Sequence, residues 1–362
     1  MSSLTHRTIR AGSAYRSHGA GQSVQGQKVR QRLQTVVTLT PSPAVDRVYF
    51  FEDLVPGAVN RAFAVEEYLG GNGINVARTL TLAGNTTSAV IPVCHLDNSG
   101  LALVQGEGDL VRIVSVSAPI RVNTVLVSSG GSTTNANQKP GHLPEPEWRS
   151  VCEATLDQLR AMDADWLVVA GSLPQASDGH TVDLRWLLHQ ARELGAKVCL
   201  DINGPDLCRW ANSNLVDLVK PNVPELEQFA GHPLRTVGDV VNAGRSLADA
   251  GIGTVLASMG GDGLIGLGPD GVLWARPPKT PVVNTTGAGD AALAGFLSET
   301  CLDPGGPTGA HNRRTSFAEA LARSAGWGAV AVGRSTTALG GLTEVPDVIV
   351  QEPDPAYRLG NA

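Results

Sequence analysis

The chain has 362 residues, of which 42% are hydrophobic, enough to bury a large core and too much for a short peptide-binding module. Its formal net charge of −6 leaves no global positive field to hold a nucleic-acid backbone or an anionic membrane. Five scattered cysteines (Cys94, Cys152, Cys199, Cys208 and Cys301) form no Cys-x-x-Cys pair and predict thiols in a reducing cytoplasm, and no apolar run approaches the roughly 20 residues that span a bilayer.

Residues 1–33 carry His6, Arg7, Arg10, Arg16, His18, Lys28, Arg30 and Arg32 with no Asp or Glu, amid Ser, Gly and Gln. They read as a disordered basic tail. A transit peptide shares that composition, but no amphipathic helical pattern accompanies the charge. From Val36 onward, short β-branched runs alternate with segments of helical spacing. Strands are predicted over 35–39, 86–91, 166–170, 197–201, 215–220 and 254–258, and helices over 74–83, 148–162, 182–194, 237–250 and 288–300.

This alternation predicts an α/β fold over 34–350, with a doubly wound, mostly parallel sheet flanked by helices. Two stretches depart from it, about 48–69 and 113–137, where strand-like runs have no long helix between them. They predict a small β-sheet lid. The Pro- and Gly-containing tract 305–309 reads as a surface loop, and 351–362 as a C-terminal tail.

In open α/β sheets ligands bind beyond the carboxyl ends of strands, and the informative residues cluster in such loops. Leu39-Thr40-Pro41-Ser42-Pro43-Ala44-Val45-Asp46 leaves the first strand, and Asp46 by itself could be a turn aspartate after two prolines. Gly70-Gly71-Asn72-Gly73-Ile74-Asn75 precedes a helix. Its glycines suit a lid hinge or a tight strand-to-helix turn, and Asn75 carries both a donor and an acceptor. Arg121 carries a fork of donors suited to a phosphate, although an exposed arginine on a strand is ordinary.

Further along, Gly171-Ser172-Leu173-Pro174 follows an apolar strand. Lys220-Pro221-Asn222-Val223-Pro224-Glu225 links a strand to a helix, where Pro and Glu also favour a first turn. Ser258-Met259-Gly260-Gly261-Asp262-Gly263 ends another strand. Asn284-Thr285-Thr286-Gly287-Ala288-Gly289-Asp290 then opens a small-residue helix. Free N–H groups at a helix start make an anion site, so Gly287, Ala288 and Gly289 could hold a transferring phosphoryl group while Asp290 accepts a proton. Taken alone, this run could also be a Gly-rich turn whose aspartate favours the helix dipole.

The 14-residue window ending at Leu297 resembles the second signature of the ribokinase-like (PfkB) carbohydrate kinases, and Gly70–Ala77 with Gly84 resembles the first. The elements occur in that family's order from Val36 to about Leu342. Leu39–Asp46 and Gly171–Pro174 resemble its hexose-phosphate branch. The resemblance implies that Asp290 is the catalytic base, with Gly287, Ala288 and Gly289 as its anion hole. Asp46, Gly70, Gly71 and Asn75 would bind the sugar, and Arg121 its phosphate. Lys220, Asn222, Ser258, Gly260 and Gly263 would bind ATP, and Asn222 and Glu225 would organise Mg2+, partly through water.

The expected reaction is phosphorylation of a sugar phosphate, with fructose 1-phosphate foremost and fructose 6-phosphate or tagatose 6-phosphate beside it. The resemblance also implies a homodimer through the lid. Three cations common in relatives are absent: Asn72 stands where many carry Lys, and Val125 and Asn135 replace basic lid residues. Cys94 stands where the first signature expects Gly. Those losses motivate a kinase for an unphosphorylated sugar or nucleoside as the alternative, and a non-catalytic sugar or nucleotide sensor is the reading of another class.

Overall fold

The computed structural model describes residues 7–10, 33–131, 133–268, 270–298, 316–334, 339–342 and 344–360. The chain divides into two units, one formed by 36–78 and 87–210 and the other by 1–35, 79–86 and 211–362. The 305–309 tract lies outside the described residues, as does most of the 1–33 segment.

In the unit 36–78 and 87–210, the strand Thr35–Leu39 lies parallel to Trp166–Ala170, which in turn lies parallel to Lys197–Asp201. Thr86–Cys94 and Val111–Val116 form a further parallel pair. Trp166–Ala170 is buried at every position, as expected of a parallel strand covered on both faces. The helix Glu145–Met162 buries Trp148, Val151, Cys152, Thr155, Leu156 and Leu159, the 3- and 4-residue spacing that makes one apolar stripe. Its first turn holds Pro146, tolerated there because those N–H groups have no intrahelical acceptor. A separate four-stranded sheet has the order Ala64–Gly70, Ala44–Phe51, Arg121–Ser128, Thr133–Asn137, with the middle pair parallel and the outer pairs antiparallel. All four strands come from the neighbourhood of the two stretches that break the sequence alternation.

In the other unit, Leu218–Val219 pairs in parallel with Thr254–Ser258. The strand expected over 215–220 is reduced to these two residues, and the N–H of Leu215 donates instead to Ser213 Oγ at 3.2 Å, a local turn that competes with a ladder. Beyond Thr254–Ser258 the pairing becomes antiparallel through Leu264–Gly268, Gly271–Arg276, Asp347–Gln351 and Arg7–Arg10. This hairpin is absent from the sequence expectation because Gly266 and Gly268 weaken the strand signal. The structure supplies the reason for those glycines: a Cβ on Gly268 would lie 2.6 Å from Phe317 Cε2, at the start of the helix Phe317–Val332. Phe317 also meets Phe296 edge-on at 5.9 Å, which seats that helix against Ala288–Leu297.

The α/β class expected from the sequence is therefore the class that forms. Among the described residues four cysteines are free thiols, and Cys301 lies outside them. No described helix is long and apolar enough to cross a membrane.

Candidate active site

Each unit carries one set of the residues singled out above. In the unit with the small sheet, Asp46 sits on Ala44–Phe51 directly opposite Asn123 on the parallel neighbour, and Asn123 is opposite Asn137. That register makes one polar row across three strands, in which Asn123 Nδ2 donates to Asp46 Oδ1 at 2.9 Å. Burial pushes the Asp46 carboxyl above its ordinary pKa, against the hydrogen bond from Asn123 and the charges of Arg121 and Arg78. Gly70 leaves room for this carboxylate, since a Cβ there would lie 2.3 Å from Asp46 Oδ2. The glycine is required here for close approach.

Arg121 belongs to the same face of the sheet as Asn123, two positions along. Its Nε donates to the Ser42 carbonyl at 3.2 Å, and its Nη1 donates to the Gln138 carbonyl at 3.1 Å and to Asn123 Oδ1 at 3.3 Å. Burial lowers its pKa and nearby Asp46 raises it, but a guanidinium stays protonated in either case. The fork is thus braced by acceptors that leave the rest of its donors for an anion. Arg121 lines a cleft of about 340 Å³ together with Gln138, Lys139 and His142. Lys139 and His142 are exposed, and sequence reasoning missed both. No periodic pattern ties them to Arg121, and only the return of the chain after Thr133–Asn137 brings them to its side.

Asn75 is buried in the first turns of the helix Asn72–Leu82, and its Oδ1 accepts from Arg78 Nη1 at 3.0 Å. Its acceptor is therefore engaged within the protein. Arg78 itself was not anticipated, although its place one helical turn beyond Asn75 was a usable signal. It also donates from Nη2 to the Leu69 carbonyl at 2.8 Å and from Nε to Glu107 at 3.0 Å, which fixes the strand end that carries Gly70. Two of the missing cations become neighbours: Val125 and Asn135 are cross-strand partners, next to the Asn123–Asn137 pair. Asn72 faces the Gly171 turn, where a Cβ on Gly171 would lie 3.9 Å from it. Ser172 Oγ accepts from Asn203 Nδ2 at 3.3 Å, and Cys94 Sγ donates to the Ser117 carbonyl at 3.4 Å.

In the other unit, Gly287 takes the left-handed conformation, with φ of 83°, as the N-cap of Ala288–Leu297. A side chain would be strained there, and the turn it allows points the first helical amides outward. The Ala288 N–H bends back to the Thr285 carbonyl at 3.3 Å, so Gly287 and Gly289 are the better donors of the three residues expected to form the anion hole. Asp290 occupies the third helical position and is buried, 5% exposed. Lys220 is also buried, and its Nζ would lie 2.8 Å from a Cβ on Gly289. The lysine side chain is thus held against the glycine loop, at a helix start suited to a phosphoryl group.

Lys220 leads into Asn222, the N-cap of Val223–Ala230. Asn222 Oδ1 accepts from the Glu225 N–H at 2.9 Å, and Glu225 accepts from the Asn222 N–H at 3.0 Å, a complete capping box. Both residues therefore have a structural job at this helix start. Asn222 forms a parallel bridge with Ser258, whose N–H donates to the Pro221 carbonyl at 2.9 Å. The turn after Ser258 is closed by Gly260 and Gly263, with φ of 57° and 93°, and by the bond from the Met259 N–H to the Gly263 carbonyl at 2.8 Å. Lys220, Asn222, Ser258, Gly260 and Gly263 are consequently contiguous across two strand ends. Among the described residues no cluster of three or more His, Cys, Asp or Glu could hold a metal. Asn222 and Glu225 are one amide and one carboxylate, a pair compatible with Mg2+, which meets protein through few oxygens and keeps several waters.

The chain was compared with known proteins. The family described as pfkB family carbohydrate kinase matches residues 40–343. The 1-phosphofructokinase of Xanthomonas campestris pv. campestris is 34% identical over 275 residues, which cover 74% of this chain and 84% of that protein. The 1-phosphofructokinase of Bacillus subtilis is 31% identical over 265 residues, covering 73% and 84%. Among solved structures, phosphofructokinase-2 from Escherichia coli in complex with potassium superposes with a TM-score of 0.72 at 25% identity, over 85% of this chain and 96% of that one. A buried carboxylate at a glycine-capped helix start, a lysine beside it and this extent of matching lead to one conclusion: the chain belongs to the pfkB family of carbohydrate kinases and is an ATP-dependent carbohydrate kinase.

Proposed function

We propose that the protein transfers the γ-phosphoryl group of ATP to a primary hydroxyl of fructose 1-phosphate, giving fructose 1,6-bisphosphate. The observation that carries this reading is the braced Arg121 in the same polar row neighbourhood as Asp46 and Asn123, with Lys139 and His142 lining its cleft. A sugar monophosphate needs a carboxylate for its hydroxyls and cations for its phosphate, and this sheet presents both. The names of the curated relatives agree with that acceptor. Asp46 and Asn123 would orient the sugar, Arg121 would grip its phosphate, and Asp290 would take the proton of the attacking hydroxyl. The Gly287 and Gly289 amides would meet the developing charge, with Lys220 beside them. Mg2+, held through Asn222 and Glu225 partly by water, would neutralise charge on the nucleotide phosphates.

Lys139 takes over, in this reading, part of the positive charge that Val125 and Asn135 withhold. Lys139→Ala is then expected to raise KM for fructose 1-phosphate about two- to fivefold at low salt, with the difference shrinking as ionic strength rises. A salt-independent or absent change would remove Lys139 from the phosphate site. The acceptor itself is tested by initial rates on fructose 1-phosphate, fructose 6-phosphate, tagatose 6-phosphate, fructose and ribose with ATP and magnesium. Turnover of the unphosphorylated sugars alone would favour the second reading, which the uncharged Val125–Asn135 pair supports. Binding of sugar and ATP without product would favour a sensor.

The small sheet is also a candidate dimer surface. Phe63 and Val65 are 63% and 51% exposed on or beside its outer strand Ala64–Gly70, and Val59 is 84% exposed in the preceding loop. An unpaired strand edge with exposed apolar side chains is a liability that a second copy would remove. Phe63→Glu is expected to shift the protein toward monomer in light-scattering measurements, and an unchanged mass would exclude this surface.

A further inference from the structure

The segment that follows the last strand Asp347–Gln351 lies beyond the family match, which ends at residue 343, and it returns to the nucleotide turn. Asp354 starts this return. Its Oδ1 accepts from the Ala356 N–H at 3.0 Å and its carbonyl from the Tyr357 N–H at 3.1 Å, a turn that aims the Tyr357 ring inward. Three main-chain bonds then lay the segment along the start of the helix Val237–Asp249. Val237 and Gly238 donate to the Tyr357 and Pro355 carbonyls at 2.9 and 3.1 Å, and Leu359 donates to the Arg235 carbonyl at 3.0 Å. Two amides of that helix start, which have no intrahelical acceptor, find theirs here.

The segment ends on Asp262. Tyr357 Oη donates to Asp262 Oδ1 at 3.1 Å, and the Gly360 N–H donates to Oδ2 at 2.7 Å. Trp274 Nε1 donates to the Asp262 carbonyl at 2.8 Å, the Tyr357 ring meets Trp274 edge-on at 4.9 Å, and the Arg276 guanidinium lies over both rings at 4.5 and 5.3 Å. Asp262 stands between Gly260 and Gly263, and its N–H closes the turn on the Met259 carbonyl at 3.1 Å. All three of its acceptor oxygens are thus used to tie down this one turn.

We propose that residues 352–360 are a positioning strap for the nucleotide site: Tyr357 and Gly360, acting through Asp262, set the backbone of the Ser258–Gly263 turn and hence the affinity for ATP. The inference rests on the assignment of that turn to the nucleotide. A turn built around two left-handed glycines has little stiffness of its own, because glycine restricts the backbone least, so its geometry depends on what anchors it. The anchor comes from far along the chain, with Tyr357 95 and Gly360 98 residues from Asp262.

The test uses the full chain and reads KM for ATP, KM for the sugar acceptor and the melting temperature together. Tyr357→Phe keeps the ring on Trp274 and removes only the hydroxyl bond to a carboxylate, and is expected to raise KM for ATP about three- to tenfold with KM for the acceptor unchanged. Asp262→Ala is expected to raise it further, and Asp262→Asn, which keeps an acceptor for Tyr357, to fall between Ala and wild type. Unchanged KM for ATP in both Tyr357→Phe and Asp262→Ala overturns the proposal. So does a parallel rise in both KM values with a lower melting temperature, which marks a strap that only stabilises the fold. Gly260→Val separates the two levels: if it weakens ATP binding while Tyr357→Phe does not, the strap alone fails, and if neither does, the nucleotide assignment of the turn fails with it.

Discussion

Asp290→Asn is expected to lower kcat about 10²–10⁴-fold, the range that a positioned general base contributes. The substitution is isosteric, so the helix Ala288–Leu297 and its glycine cap should persist, and KM for ATP should change little. Two smaller effects on stability oppose each other. A carboxylate in the first turn favours the helix dipole by about 0.3–1 kcal/mol, whereas burying its charge carries a desolvation cost that the amide avoids. The melting temperature should therefore move little while turnover collapses. A coupled assay of ADP release, run beside a thermal melt, reads both. Near-wild-type turnover would remove Asp290 as the base and leave the Gly287–Gly289 amides and Lys220 to account for the rate.

The second large effect is expected at Asp46. A hydrogen bond to a charged group is worth about 1.5–3 kcal/mol, so losing one good bond to a sugar hydroxyl corresponds to roughly 10- to 150-fold in kcat/KM. Asp46→Asn should show that loss toward the sugar phosphate and leave KM for ATP unchanged. Gly70→Ala should reach a similar result by displacement, because its new methyl group would occupy the place of Asp46 Oδ2. The pair of variants separates the charge of Asp46 from its position.

The pH dependence has a definite sign. Burial raises the Asp46 pKa above its ordinary value, so the folded protein holds that proton more tightly than the unfolded chain. Ionisation of Asp46 then costs stability as pH rises above the ordinary aspartate range, and acidification relieves that cost. In the proposed reaction the ionised form is nonetheless the one that would accept from sugar hydroxyls. Wild-type kcat/KM should fall on the acid side at a higher pH than an unperturbed aspartate would give, and Asp46→Asn should lose this limb and melt slightly higher at neutral pH. If the acid limb persists unchanged in the Asn variant, it belongs to another group.

Much of the proposed nucleotide and catalytic set was legible as local structure, because its backbone features are local. Gly287 to Asp290, Asn222 to Glu225 and Ser258 to Gly263 each place a special backbone conformation and a functional side chain within a few residues. A capping box or a left-handed glycine leaves a direct mark on composition at fixed spacing. The acceptor set was less legible because it is assembled by strand register. The Asp46–Asn123 bond joins residues 77 positions apart, and the Arg121 bond to Gln138 depends on a hairpin whose sequence shows no periodic signal. Arg78 was overlooked on a helix face whose partner residue, Asn75, had been singled out.

The sequence by itself determined the α/β class, the order of the loops and the glycine-capped helix start that carries Asp290, because helix starts, glycine turns and buried β-branched runs follow from neighbours along the chain. Only the tertiary structure decided what lies beside Arg121 and what ties down the Ser258–Gly263 turn. Lys139 and His142 join Arg121, and Tyr357 reaches Asp262, through hydrogen bonds and packing between segments distant in sequence. Such contacts depend on three-dimensional register, and a one-residue shift in a strand would turn Asp46 to the opposite face without altering any motif that the sequence displays.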